Sequence, residues 1–188
     1  MSRKEVNPGT FLYPVPAVMV SCADRKGNAN IIAIAWAGVM SSDPPMVGIG
    51  VRSNRYSYPL ITDSGEFVVN IPSVEQASAL DYTGVVSGRD CDKFADTGLT
   101  AAKASVLEYA PMIEECPISL ECKVTDRLPL GSHDYFVGEV VRVHVDEAWT
   151  SESGTFSVVP EQLMAYAQGR YYRLGEEIGR GGFSVKKD

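Results

Sequence analysis

The sequence predicts a mainly β protein: an antiparallel β-barrel, closed or split, with short inserted helices. About six segments have the period-two alternation or the short apolar runs of strands, and turn residues separate them. Strands and helices do not alternate as in a parallel sheet, and no Gly-x-Gly-x-x-Gly follows the first strand, which disfavours a dinucleotide domain of the Rossmann type. At 188 residues and 45% hydrophobic composition, we expect one domain over 1–188 with a real core.

The first two strands are predicted to form a hairpin. Apolar runs over 17–23 and 30–37 flank a charged turn, in which Gly27 supplies the positive φ that a tight turn needs.

The end of the second strand carries the first candidate site. Trp36 is predicted to offer a flat aromatic surface there, and Ser41 and Ser42 are predicted to sit in a rigid turn closed by Pro44 and Pro45. A planar ring with polar edges would fit against such a corner. A core strand followed by an ordinary turn is the alternative.

A possible phosphate site follows the next strand, predicted over 46–51. A polar turn leads into a helix over 55–62, with Ser53 or Asn54 as its N-cap. The N–H groups of a helix N-terminus, two arginines and a serine are suited to a phosphate, whereas a capped helix with solvated arginines is the alternative. These side chains are Arg52, Arg55 and Ser57.

A second group of phosphate-binding candidates lies in the loop over 85–94. This loop follows a strand over 66–71 and a helix over 74–82 for which Ser73 is the expected N-cap. A short helix capped by an aspartate contains the lysine, and would place it on one face with the arginine if it extended back four residues. The candidates are Ser87, Arg89 and Lys93; a surface loop that balances nearby acids is the alternative.

Two long strands are predicted over 111–125 and 133–146. Their alternation makes Cys122 a core thiol, turns Val141, Val143 and Val145 inward, and leaves His144 at the surface. His133 begins the second strand after a Gly-Ser turn, where a histidine suits proton or anion chemistry; an exposed turn histidine is the alternative.

The C-terminal 40 residues are less regular. A short turn or helix is expected over 160–163, and Tyr166, Tyr171 and Tyr172 stand among small and basic residues, where they would line a pocket or an interface. The Gly-rich, charged tail over 179–188 is expected to be flexible.

Composition disfavours several classes of partner. The net charge of −7 disfavours nucleic acid. The four cysteines form no Cys-x-x-Cys pair and the two histidines lack metal-site spacing, so no metal site is predicted. No apolar run reaches the length of about 18 residues that a membrane span needs, and the first residues lack a signal-peptide core. We therefore expect a cytoplasmic protein with reduced thiols and no membrane partner.

The order of the motifs resembles a known family. The segments GNANIIAIAW, MSSDPPMVGIGVR, EFVVNIP, SGRDCDKF and GSHDYFVGEV are together similar to the flavin reductase-like family with the FMN-binding split barrel, and nearest in pattern to flavoredoxins. The resemblance covers about 14–175, the expected core of the domain. It implies a homodimer with one FMN per protomer, in a crevice near the dimer interface.

The resemblance also implies roles for individual residues. The flavin ring would be bordered by Asn30, Trp36, Ser41, Ser42, Pro44, His133 and Tyr166. The ribityl-phosphate end would be held by Ser53, Arg55 and Ser57, with Ser87, Arg89 and Lys93 nearby. Two departures stand out: a serine replaces the usual threonine at position 57, and the Gly-Asp-His motif has become Gly131-Ser132-His133, without its acid.

Three functions are compatible with these residues. The first is an oxidoreductase that passes electrons from NAD(P)H through FMN to a flavin, a metal complex or a partner protein. In it, His133 orients a nicotinamide or steers a proton, and Lys93 either stabilises the reduced flavin or anchors the phosphate. The second is a flavoredoxin-type carrier reduced by a partner protein, and the third is a non-catalytic module that binds heme or pyridoxal phosphate.

Overall fold

The computed structural model describes residues 2–151 and 155–185. The strands are β1 (Val15–Pro16), β2 (Val18–Ala23), β3 (Ala29–Ile34), β4 (Ala37–Ser42), β5 (Pro45–Val51), β6 (Glu66–Ile71), β7 (Ala101–Ala102), β8 (Met112–Ile113), β9 (Ile118–Pro129), β10 (Asp134–Val145), β11 (Met164–Ala167) and β12 (Arg170–Arg173). The helices are α1 (Ser57–Ser64), α2 (Ala77–Val85) and α3 (Lys93–Thr97), with single 3-10 turns at Val74–Gln76, Glu147–Trp149, Pro160–Gln162 and Phe183–Val185.

The architecture is an antiparallel split barrel, which confirms the predicted fold class. Seven strands form one sheet in the order β3-β2-β6-β9-β10-β5-β4, and β3 and β5 approach each other as the sheet curls round. A second sheet, β1-β11-β12, joins two parts of the chain. One is the N-terminal arm, the described residues before β2, and the other is the tyrosine hairpin formed by β11 and β12, which carries Tyr166, Tyr171 and Tyr172. None of the helices in the described part of the chain is long and apolar enough to cross a membrane.

Apolar side chains fill the barrel and the space beneath α2. Ile49, Phe67 and Phe136 are fully buried inside the barrel, together with Cys122, so the prediction of a core thiol is confirmed. On the other face of the sheet, Met19 and other buried apolar residues pack against α2. Burial of this kind supplies most of the stability of such a domain.

Two buried carboxylates attach the loop before β8 to the outer face of the sheet. Glu66 accepts hydrogen bonds from three successive backbone N–H groups of 108–110. Glu121, fully buried, accepts from the N–H groups of 105–107 and from His144 Nε2 at 2.6 Å. His144, predicted to lie at the surface, is half-buried there because its ring is hydrogen-bonded to this carboxylate.

A β-bulge in β10 explains why the predicted orientation of Val143 is wrong. Val143 was predicted to face inward, but its side chain is 50% exposed. The register between β9 and β10 shifts between Val140 and Arg142, so the period-two alternation is broken there.

The segment around Trp36 also differs from the prediction. The second strand ends at Ile34, Trp36 lies in a bend, and Ser41 and Ser42 belong to β4 rather than to a turn. Pairing of β4 with β5 satisfies the backbone N–H and carbonyl groups of this segment, and the Gly50 N–H donates to the Trp36 carbonyl at 2.8 Å. The tight turn is the short link between β4 and β5 that contains Pro44.

The two helix-cap predictions had different outcomes. Helix α1 begins at Ser57, and neither Ser53 nor Asn54 caps it, because consecutive turns from Arg52 satisfy the N–H groups instead. Ser73 does cap the helical segment that follows, so that prediction is confirmed. The short turn or helix expected over 160–163 is present as the 3-10 turn Pro160–Gln162.

Candidate functional site

A cleft of about 840 Å³ opens between the N-terminal arm, β3, α2 and the tyrosine hairpin. Its walls are mostly apolar and aromatic. Its charged lining residues are Arg52, Arg55 and Asp81, and His133 adds a titratable group. A cleft of this size and character is typical of a small-molecule site.

Trp36 and His133 form the aromatic end of the cleft. Their ring centroids are 4.3 Å apart with an interplanar angle of 52°. His133 Nε2 is 3.3 Å from Arg52 Nε, and its Nδ1 is 2.9 Å from Ser132 Oγ. Burial, followed by the charges of Arg52 and Arg55, lowers the pKa of His133 and favours the neutral imidazole.

The tyrosine hairpin also lines the cleft. The rings of Tyr166 and Tyr171 lie 5.3 Å apart, and the Tyr171 hydroxyl donates to Asp81 Oδ1 at 3.1 Å. Burial, together with that carboxylate, raises the pKa of Tyr171 to about 12, so the hydroxyl stays protonated. This bond joins β12 to α2.

A smaller polar pocket of about 70 Å³ adjoins the cleft, and Ile32, Arg55 and Gly84 line both. Asn30 Nδ2 donates to Ser57 Oγ at 2.7 Å, and both side chains are buried. Because this hydroxyl accepts from the amide, it keeps its own hydrogen to donate.

Lys93 contributes a buried positive charge to the polar pocket. Its Nζ donates to the carbonyls of Ile31 at 2.8 Å and Thr83 at 2.6 Å. An ammonium has three N–H donors, so one is left for a ligand. Burial lowers the pKa of Lys93 to about 8, which shows how strongly this position disfavours a charge without an anionic partner.

The loop before α3 closes the same pocket. Arg89 Nη1 donates to the Asn54 carbonyl at 2.9 Å, and its guanidinium lies 5.7 Å from the centroid of the Tyr56 ring. A β-carbon at Gly88 would lie 2.2 Å from Asn30 Oδ1, so only glycine permits this close approach of the loop. Helix α3 begins at Lys93, so Arg89 shares the pocket with it but not a helical face.

Most of the residues predicted from sequence lie in these two cavities. Six line the polar pocket: Asn30, Arg55, Ser57, Ser87, Arg89 and Lys93. Three more line the cleft: Trp36, His133 and Tyr166. Four line neither cavity of the single chain, and their contact with a cofactor stays a prediction: Ser41, Ser42 and Pro44 at the β4–β5 hairpin end, and Ser53 in the turn before α1.

Sequence reasoning missed several residues of the cleft. Tyr135 lies two residues after His133, on the same face of β10, so the period of the strand would have indicated it. Asp81 gave no signal, because its partner Tyr171 is 90 residues away along the chain. Arg52 was proposed for a phosphate, but the structure places it beside His133 and not in the lining of the polar pocket.

The fold and the site define a split-barrel protein with an apolar, aromatic cleft that adjoins a pocket lined by cations. The sequence model of the flavin reductase like domain matches residues 10–175, and the chain belongs to that family. The resemblance inferred from the motifs is thereby confirmed.

Solved structures and curated proteins agree with this membership. Flavoredoxin of Desulfovibrio vulgaris (Miyazaki F) is 33% identical, with a TM-score of 0.89 over 99% of this chain and 100% of that one. Flavoredoxin from Methanosarcina acetivorans is 30% identical, with the same TM-score and coverage. An uncharacterised protein of Archaeoglobus fulgidus is 30% identical over 149 residues, 79% of this chain and 82% of that protein.

Proposed function

We propose that the protein binds FMN, with the phosphate end in the polar pocket and the flavin ring in the cleft. The observation that supports this proposal most directly is that the cleft and the polar pocket adjoin, with Arg55 in the lining of both. An apolar, aromatic cleft suits a planar ring, and an adjoining set of cations and hydroxyls suits a phosphate.

The chemistry of the pocket fits this cofactor. The side chains of Arg55, Ser57, Arg89 and Lys93 all offer donors, and no carboxylate stands among the described residues that line the pocket. The close approach at Gly88 keeps the pocket narrow. A dianionic group would therefore meet several donors and positive charges, and it would favour the charged form of Lys93.

Bound FMN would supply the redox chemistry, accepting hydride or single electrons and passing them on. The protein's part is binding and orientation. Trp36 and Tyr166 both line the cleft and offer flat faces to a ring, and His133 lies against Trp36. Stabilisation of the reduced flavin by Lys93, the second role expected from the sequence, stays a prediction.

We propose that the protein is an oxidoreductase in which electrons pass from NAD(P)H through FMN to a flavin, a metal complex or a partner protein. Membership of the flavin reductase-like family supports this reaction class. A flavoredoxin-type electron carrier, reduced by a partner protein, is the second candidate, and the similarity to two flavoredoxins at 30% identity or more favours it. The cytoplasmic location expected from the sequence stays a prediction.

An absorbance spectrum of the purified protein, followed by anaerobic NADH or NADPH, tests these proposals. Bands at about 370 and about 450 nm would establish flavin. Bleaching of the longer band within seconds supports the reductase, whereas persistence until a partner protein or dithionite is added supports the carrier. A protein that stays colourless with added FMN would contradict both and leave the third reading, a module for heme or pyridoxal phosphate.

We also propose that the protein forms a homodimer. Strand β4 is an edge strand, and it exposes Val39 and Met40 to solvent. An exposed apolar edge strand is suited to burial against another chain. Sedimentation of the wild type and of a Val39→Lys variant tests this: a monomeric wild type would contradict the proposal.

A further inference from the structure

Arg52 and His133 form a pair at the aromatic end of the cleft, away from the polar pocket. Arg52 directly follows the last residue of β5, and His133 directly precedes β10, the neighbouring strand. Arg52 Nε lies 3.3 Å from His133 Nε2, and the ring of His133 rests against Trp36.

The hydrogen bonds assign the protons of this pair. A guanidinium has donors only, so Nε2 of His133 accepts. Nδ1 then carries the hydrogen and donates to Ser132 Oγ at 2.9 Å. The lowered pKa of His133 agrees with this neutral tautomer. With both nitrogens occupied, the imidazole supports the guanidinium and has no free nitrogen for proton transfer.

The remaining N–H donors of Arg52 have no protein partner within the described residues. Among the carboxylates that the structure describes, none pairs with Arg52, although the chain carries a net charge of −7. Arg55 lines both the cleft and the polar pocket, whereas Arg52 lines only the cleft. Arg52 is therefore a second positive charge, held where a molecule approaching the aromatic end of the cleft would meet it.

We propose that Arg52 is a specificity residue that binds a carboxylate or phosphate group of the molecule exchanging electrons with the cofactor, and that His133 is the positioning residue that orients it. This inference rests on the proposed function, because it requires FMN in the cleft. The anionic group belongs either to the electron donor, as in the pyrophosphate of a dinucleotide, or to the acceptor, as in a carboxylated metal chelate.

Arg52→Gln removes the charge, and Arg52→Lys is the matched control that keeps it. Each FMN-loaded protein is reduced in a stopped-flow instrument by NADH and by the uncharged 1-benzyl-1,4-dihydronicotinamide. Each photoreduced protein is then reoxidised by anionic ferric-EDTA and by uncharged benzoquinone. In each half of the experiment, the ratio of the rate constants for the charged and the uncharged reagent is compared between wild type and variant. The half-reaction in which this ratio falls identifies whether the electron donor or the acceptor carries the anionic group.

We expect Arg52→Gln to lower the apparent second-order rate constant for the charged reagent of one arm about 10-fold or more relative to the uncharged reagent. Arg52→Lys should keep most of that ratio. An unchanged ratio in both arms would overturn the proposal. FMN titration comes first: failure to bind FMN overturns the proposed function and this inference with it, whereas normal FMN binding with unchanged ratios overturns the inference alone.

A double-mutant cycle tests the positioning role of His133. If His133 acts by orienting Arg52, the variant that combines Arg52→Gln with His133→Ala should lose no more of the charged-to-uncharged ratio than Arg52→Gln alone. Losses that multiply would show that the two side chains act independently, and would overturn the positioning role.

Discussion

Lys93 makes the stability of the ligand-free protein depend on pH in a way that Lys93→Met should abolish. The side chain is 4% exposed and donates only to backbone carbonyls. Burial lowers its pKa from 10.5 to about 8. This displacement corresponds to about 3 kcal/mol against the charged form in the folded state.

The direction of this pH dependence follows from whether the folded or the unfolded state holds the proton of Lys93 more tightly. Between about pH 8 and about pH 10.5 the unfolded chain holds the proton of Lys93 and the folded protein releases it, so the free energy of unfolding rises with pH. We expect the wild type to gain about 2.5 kcal/mol relative to Lys93→Met between about pH 7 and about pH 10. Below about pH 8 both states are protonated, and the difference between the two proteins is constant.

Urea unfolding followed by tryptophan fluorescence measures this difference across the pH range. Lys103→Met is the matched control, because Lys103 is exposed. The control should follow the wild type, and only Lys93→Met should lose the rise. Parallel curves for the wild type and Lys93→Met would refute the reasoning, since they would show that the folded protein does not disfavour the charge at Lys93.

The same residue links pH to cofactor affinity. A bound phosphate favours the charged ammonium, so FMN binding to the wild type should weaken above about pH 8, and Lys93→Met should remove that pH dependence. At neutral pH the variant should bind FMN about 10- to 100-fold more weakly, the effect of one charge-assisted hydrogen bond. Quenching of flavin fluorescence measures the Kd; equal affinities would remove Lys93 from the site.

Three further substitutions test other parts of the structure. Burial by itself would raise the pKa of Glu121, but hydrogen bonds from backbone N–H groups and from His144 outweigh it and lower the pKa from 4.5 to about 2. Glu121→Gln should therefore lower the free energy of unfolding in urea by about 3 kcal/mol at neutral pH. This difference between the wild type and the variant should shrink as the pH falls from about 4.5 towards about 2. A gap that does not change with pH would contradict this. Gly88→Ala places a β-carbon 2.2 Å from Asn30 Oδ1, so FMN titration should show a Kd at least about 10-fold higher; an unchanged Kd would show that the loop adjusts freely. Trp36 is 43% exposed, so Trp36→Ala should change the free energy of unfolding by less than about 1.5 kcal/mol and yet weaken FMN binding measurably; a large loss of stability with normal FMN binding would give Trp36 a structural role instead.

Patterns within a short stretch of sequence predicted much of this protein. The short segment EFVVNI, closed by Pro72, indicated β6 over 66–71 with the bounds that the structure has, and the alternation of apolar residues in the later strand made Cys122 a core residue. These features depend only on neighbours along one strand, which the sequence displays directly. The ordered set of motifs then identified the family, and six of the predicted site residues are among those that line the polar pocket.

Tertiary structure alone decided the features that depend on contacts between distant segments. The bulge in β10 exposed Val143, and pairing with β5 turned an expected corner at Ser41 into a strand. The hydrogen bond from Arg52 to His133 joins residues 81 positions apart, and no pattern in either segment indicates it. Local sequence therefore determined most of the strands, whereas the pairing and packing of distant strands decided the remaining strand, the bulge, and which charges are buried, paired or left free to meet a ligand.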